Sequence, residues 1–380
     1  MKKNLYFCII ILLFGCERLP QRENTHIPKP ACECEHSERE DTHIQIDRWL
    51  LMRDVCTIDT VRRGNYKIIF RNPYKNKGAL KLKGSMHNHT NNSARYDGFG
   101  SGCPRATAIK FRDEGGFDFF TFTDHNYVTW DPEVPGIVWM GNAMEDTKFG
   151  AHAQHLVVYN LPTGYRFRNR SDNIHELIDY YLSLGAIVSL AHPCWSGQFQ
   201  PDHKILSIEH IDFVEIVNYM EEHERAFDLL LSNGINVFGL GVDDYHYQSH
   251  WEYPNRLFNK AFIIAFAEER ERTSIWRALL SGNFYAATLD ARMNISCTDG
   301  VISVSSNIPS TFEFIGLNTE NPGNGLVLRT YKNVTEASYT IQGNEGYVRV
   351  RMTNSDGRAF SQPFVILSVA ENNILEGREE

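Results

Sequence analysis

Gly84-Ser85-Met86-His87-Asn88-His89-Thr90 is the stretch on which the reading of this chain turns. It follows Ala79-Leu80-Lys81-Leu82, so a strand delivers the motif. Alternate residues of a strand point to one face, which lets the imidazoles of His87 and His89 reach one metal ion. An H-x-H carries little by itself, since Asp41-Thr42-His43 repeats a ligand-x-ligand spacing in a polar segment. Position is what strengthens it. Asp124-His125 follows the β-like run 117–123, His192 follows 186–190, and Asp244-Tyr245-His246 follows 237–241. Four apolar runs therefore end in metal-ligand residue types, and the carboxyl ends of strands are where parallel α/β folds build their sites.

Helical patterns alternate with these runs. Residues 104–114 start with Pro104 and stop at Gly115-Gly116. Ile174, Leu177, Ile178, Tyr181 and Leu182 share one helix face, with Asn173 and Glu176 suited to a capping box and Gly185 to the stop. Further strand-like runs lie at 155–159 and 213–217, and a helical stretch ends in Ser232-Asn233-Gly234. Alternation of this kind predicts an α/β architecture with parallel strands, open or closed into a barrel. Beyond about residue 290 the period becomes two, as in Tyr347, Arg349 and Arg351 alternating with Val348, Val350 and Met352. Asp299-Gly300, Asn321-Pro322-Gly323 and Asp356-Gly357 mark turns. Residues 291–380 thus read as a small C-terminal all-β, sandwich-like domain.

Of the 380 residues, 38 are Lys or Arg and 47 Asp or Glu, a formal net charge of −9. No overall basic field exists to hold duplex nucleic acid. Lys2 and Lys3 precede a short apolar stretch, too short to span a bilayer, and Gly15-Cys16 closes it. Residues 1–15 resemble a bacterial lipoprotein signal peptide, with Cys16 carrying lipid and residues 16–45 forming a tether. Residues 46–78 form an N-terminal extension. The expected location is the cell envelope, in the periplasm or on the outer surface, anchored to a membrane through Cys16. Export permits disulfides among Cys32, Cys34, Cys56, Cys103, Cys194 and Cys297, with no pairing preferred.

The motifs at 84–90, 122–126 (Phe-Thr-Asp-His-Asn), 191–193 (Ala-His-Pro) and 241–246 (Gly-Val-Asp-Asp-Tyr-His) resemble, in order, those of the PHP (polymerase and histidinol phosphatase) superfamily. Met144-Glu145-Asp146-Thr147 followed by His155-Leu156 resembles its bridging glutamate and next histidine. Within the superfamily the chain is most similar to the carbaryl-hydrolase-like CehA/McbA proteins, through residues 214–218, 278–286 and 347–351. The resemblance covers roughly residues 80–290, with the barrel bounded at 79–290. It implies a distorted (β/α)7 barrel with two or three divalent metal ions in its mouth. His87, His89, Glu145 and Asp244 would hold the first metal. Glu145 would bridge to a second, bound also by His155 and His192. His125 and His246 would serve a third, with Asp97 as the acidic ligand. The chain departs from the family there, because Ala94-Arg95-Tyr96 separates Ser93 from Asp97-Gly98. Asp124 and Asp243 adjoin ligand histidines and would orient them or serve structure.

Mixed imidazole and carboxylate donors suit Zn, Mn or Fe. Such ions acidify water, so a metal-bound hydroxide is the expected nucleophile and no side chain is needed for that role. No Gly-x-Ser-x-Gly elbow occurs, and Cys194 reads as a packed core thiol. His152 could donate a proton to the leaving group, Arg95 and Lys148 could bind an anionic substrate, and Glu215 and Asn218 face the same mouth. The expected function is hydrolysis of a small-molecule ester, most readily a phosphoester. The alternatives are a carboxyl-ester or carbamate hydrolase on the same site, or a lipid-anchored binding protein with an idle site.

Overall fold

The computed structural model describes residues 57–93, 102–147, 154–168, 171, 173–195, 200–246 and 258–371. The signal segment, Cys16, the tether, Arg95, Asp97, Lys148 and His152 lie outside the described residues.

The first elements are β1 (Ile58–Arg63), β2 (Tyr66–Arg71), β3 (Leu80–Ser85), α1 (Pro104–Asp113), β4 (Phe119–Phe120), β5 (Val138–Trp139), β6 (Met144–Asp146) and β7 (Leu156–Tyr159). Then come α2 (Ile174–Ser183), β8 (Ile187–Leu190), α3 (Asp202–Leu206), β9 (Phe213–Asn218), β10 (Glu221–Glu222), α4 (Glu224–Ser232) and β11 (Phe238–Val242). They are followed by β12 (Ala261–Ala267), α5 (Arg272–Ser281), β13 (Phe284–Thr288), β14 (Asn294–Thr298) and β15 (Val301–Gly316). The last are β16 (Leu326–Thr340), β17 (Tyr347–Asn354), β18 (Gly357–Ser361) and β19 (Phe364–Glu371).

Local chemistry accounts for the element ends. Asn173 caps α2 by accepting the His175 N–H at 3.0 Å. The expected capping box is only half made: Glu176 bonds the Asn173 side chain, and the Asn173 backbone N–H goes instead to Ser171 Oγ at 3.0 Å. Gly185 follows with φ 73°, the left-handed stop that a Cβ would strain. The apolar face of α2 packs Leu177, Ile178 and Tyr181 against Val158, Val188 and Val214 of β7, β8 and β9. Each such fully buried side chain contributes about 1.5–3 kcal/mol.

The fold is mixed α/β and rich in sheet, and a closed (β/α)7 barrel is not evident. The strands form a 13-stranded sheet with the path β1-β2-β19-β17-β18-β13-β12-β3-β4-β5 and a six-stranded sheet β10-β9-β8-β7-β6 with β11 on β9. Parallel pairing is confined to β3/β4, β4/β5, β8/β9 and β9/β11. β7 runs antiparallel to both β6 and β8, and β12 antiparallel to β3. For β6 and β7 the connection is short, since only residues 147–155 separate them, too few for a crossover helix. The two sheets meet at one end through two isolated parallel bridges, Asn88↔Tyr245 and His125↔Glu145. A mixed core of Phe119, Val157, Phe213, Leu240, Ile263 and Trp276 draws on both sheets. Gly241 permits their close approach, because a Cβ there would sit 2.7 Å from the Phe262 carbonyl oxygen.

Every described element after α5 is a strand. These strands do not stand apart in their own sheets: β18 pairs with β13, and β19 pairs with β2 of the N-terminal hairpin. Cys103, Cys194 and Cys297 are free thiols.

Candidate metal centre

The site forms where the two bridges join the sheets. The loop after β3 carries His87 and His89. His89 N–H bonds the Tyr245 carbonyl at 2.9 Å, which locks this loop to the one after β11 bearing Asp244 and His246. Glu145 on β6 is held likewise: its N–H reaches the Thr123 carbonyl at 3.1 Å and its carbonyl accepts from Asn126 N–H at 2.8 Å. His155 opens the way into β7, and His192 follows β8. His192 and Asp244 adopt φ of 25° and 49°, a left-handed backbone that side chains tolerate only where surrounding structure enforces it.

Hydrogen bonds at the rear of the rings fix their tautomers. His87 Nδ1 donates to Glu215 Oε1 at 2.7 Å, leaving the Nε2 lone pair for the site. Ser93 Oγ donates to Asp124 Oδ1 at 2.8 Å and accepts from His125 N–H at 3.0 Å. Its remaining lone pair takes the His89 Nδ1–H at 2.9 Å, so His89 Nε2 is an acceptor too. His246 Nδ1 donates to the Asp244 carbonyl at 2.8 Å, again freeing Nε2. Glu215 also receives His192 N–H at 2.8 Å and Asn218 Nδ2–H at 2.9 Å. Asp124 accepts from Thr90 N–H at 2.6 Å, from Thr90 Oγ1 at 2.8 Å and from Thr129 Oγ1, which makes it an anchor for the ligand loop. Asp243 accepts backbone N–H bonds from Lys260 and Ala261, both at 2.8 Å, and from Asn259.

In front of the rings, acceptors face acceptors. His87 Nε2 and His89 Nε2 lie 3.1 Å apart. Asp244 Oδ1 stands 2.9 Å from His89 Nε2 and 3.3 Å from His87 Nε2, while Glu145 Oε2 stands 3.3 Å from His87 Nε2. A buried and a half-buried carboxylate and two imidazole lone pairs converging in this way repel one another unless positive charge lies among them. A proton can supply only part of it. Burial opposes a charged His87, yet Asp244, Glu215 and Glu145 outweigh it and hold its pKa well above the ordinary value. Burial together with the neighbouring His246 and His125 holds His89 well below. Burial alone would raise Glu145 and Asp244, but the imidazoles (His155 foremost for Glu145, His87 for Asp244) keep both well below the usual carboxylate range. The donor set fits a divalent cation of the imidazole-binding kind.

Glu145 joins the halves of the site. Its Oε1 lies 2.7 Å from His155 Nδ1 and 3.0 Å from His192 Nε2. Its Oε2 lies 2.9 Å from His125 Nδ1 as well as near His87. Three groups of donor atoms emerge, each within a sphere a cation could serve: His87, His89, Glu145 and Asp244; Glu145, His155 and His192; His89, His125 and His246. The structure thus brings together eight of the expected ligands, and Asp97 and His152 lie outside the described residues. His89 enters the third group, a membership the motifs do not reveal.

Sequence reasoning left open the part played by Glu215 and did not single out Ser93 for a role. A buried carboxylate two residues into an apolar strand was the available signal for Glu215; nothing marked Ser93. His223 at the start of α4 is a further surprise, buried with neither ring nitrogen hydrogen-bonded, and burial pushes it down to about 4. Burial likewise pushes the Cys194 thiol up, away from nucleophile chemistry.

No family model matches the chain, and no curated protein matches it. Among solved structures, it is similar to a two-domain protein from Bacteroides vulgatus containing a predicted PHP-like metal-dependent phosphoesterase. The identity is 15% and the TM-score 0.45, with 82% of this chain and 98% of that chain covered.

Proposed function

We propose that this chain is a metal-dependent hydrolase of small-molecule esters, a phosphoesterase first of all, and that it works with two or three Zn, Mn or Fe ions. One observation carries the reading: a single buried carboxylate, Glu145, turns its two oxygens to two different groups of imidazoles. The ordered motifs that resemble the PHP superfamily support it, and the likeness to the CehA/McbA proteins supports a carboxyl ester or carbamate as the chemical runner-up. Ions held there supply Lewis acidity toward a phosphoryl or carbonyl oxygen and an acidified water. The chain's own residues do the rest. His87, His89, Asp244 and Glu145 hold charge in a fixed array, and Glu215 and Ser93 keep the ring lone pairs turned inward. Burial of His87, His89 and Glu145 excludes bulk water behind them, which strengthens every electrostatic contact in front. We propose further that a lipid at Cys16 holds the protein to the cell envelope.

The test is hydrolysis of phosphomonoester, phosphodiester, aryl-ester and carbamate probes before and after chelation, with metal content measured alongside. Hydrolysis that chelation abolishes and Zn, Mn or Fe restores is the expected result. Ester hydrolysis indifferent to chelation, or a protein that takes up no metal, would overturn the reading.

A further inference from the structure

The net charge conceals a strong local asymmetry. Residues 57–84 hold eight Lys and Arg against one acid, Asp59, so this segment carries +7 and the rest of a −9 chain carries −16. Asp59 is itself neutralised by Lys75 at 2.8 Å. Strand register sorts the remainder. Val61, Ile68 and Phe70 of the β1–β2 hairpin are buried, so the alternate positions face outward. Across β1, β2 and β19 the outward rows read Arg62–Lys67–Ala370, Thr60–Ile69–Ser368 and Ile58–Arg71–Val365. Three cations stand among apolar and hydroxyl side chains, with no carboxylate in these rows among the described residues. Apolar groups stand beside them: Ile58 is 38% exposed and Leu367, at the β19 bulge, 45%.

We infer that the outward face of β1, β2 and β19 docks on an anionic phospholipid surface. Phosphate headgroups complement Arg62 and Lys67, with half-buried Arg71 beside them, and Ile58 suits the boundary between headgroup and acyl chain. Where the described fold begins agrees: forty residues separate Cys16 from Thr57, the residue before β1, so this sheet is the first described element after the proposed anchor.

The experiment is co-sedimentation of the full chain, carrying Cys16→Ser, with vesicles of phosphatidylcholine alone and of phosphatidylcholine with phosphatidylglycerol. The readout is the ratio of anionic to neutral binding, so apolar partitioning of the N-terminal segment cancels. Arg62→Glu and Lys67→Glu should each lower that ratio about fivefold or more, and high salt should erase it. Arg62→Gln and Lys67→Gln, with unchanged melting, guard against misfolding and should lower it less. Lys332→Glu, an exposed reversal on β16, should leave it unchanged. No preference of the parent chain for anionic vesicles, a ratio unmoved by Lys67→Glu, or an equal fall in Lys332→Glu would each overturn the proposal. Because no hydrolysis is measured, the outcome is separate from that of the metal site.

Discussion

Two buried charge clusters in this molecule are built on opposite plans. Around Arg349, which is 1% exposed, one guanidinium sits between two carboxylates. Its Nε and Nη2 each lie 2.7 Å from an oxygen of Asp228, and Nη1 lies 2.7 Å from Glu224 Oε2. Tyr347 Oη adds a bond to Asp228 at 3.0 Å, and Arg351 links Glu224 to Glu313. The result rivets α4 to β15 and β17. Around Glu145 the count is lopsided, with carboxylates and ring lone pairs turned toward each other and the ring hydrogens of His87, His89 and His246 spent on the far side. A cluster that closes on itself holds a fold together; one left with surplus acceptors is made to receive a cation.

That contrast can be broken or sharpened by substitution. The largest effect belongs to Glu145→Gln, which keeps shape and removes the charge between the two imidazole groups. Bound metal should fall by about one ion or more per chain, and hydrolysis by orders of magnitude. Full metal content measured by elemental analysis, with near-normal turnover, would mean that Glu145 does not join two ions. Arg349→Met should instead cost about 3–5 kcal/mol in urea unfolding, since two carboxylates stay buried without their partner. The fraction still folded should keep its metal. Equal metal loss in both variants would erase the distinction between the clusters.

His223 gives a smaller effect with a defined sign. Its folded pKa of about 4 lies below the ordinary 6.5, so its contribution to stability is complete above pH 6.5 and is lost as pH falls toward 4. The loss amounts to at most about 3 kcal/mol. Unfolding of chelated protein at pH 7 and pH 4.5 should show this decline in the parent chain and a shallower one in His223→Phe; identical slopes would mean the buried imidazole does not titrate. Smallest is Glu215→Gln, which retains an acceptor for His87 Nδ1 but not its charge. Metal affinity should weaken about 10–100-fold, read by competition with a chelating dye.

Much of the site was legible because its ligands are delivered by strand ends, and strand ends announce themselves in a period of two followed by polar residues. His87, His89, His192, Asp244 and His246 were found in that way, and resemblance supplied Glu145 and His155. What was hidden depends on contacts distant in sequence. Ser93 orients His89 only because it also bridges to Asp124 and to the backbone of His125. Glu215 looked like one more residue at the mouth until its oxygens were seen divided between His87, His192 and Asn218. A closed barrel is not evident, and the antiparallel pairing of β7 with β8 and of β12 with β3 is set by contacts that no local pattern in the chain announces. The basic hairpin escaped notice because summing charge over 380 residues averages a patch away.

The pairing of β2 with β19 has a temporal consequence. Arg71 and Val365 stand opposite each other across nearly the whole described chain. A growing polypeptide therefore holds β2 with one edge bare until almost everything else has been made, and a strand edge without a neighbour is sticky. The large sheet cannot be completed while its last described strand is still missing, so that strand acts as its clasp.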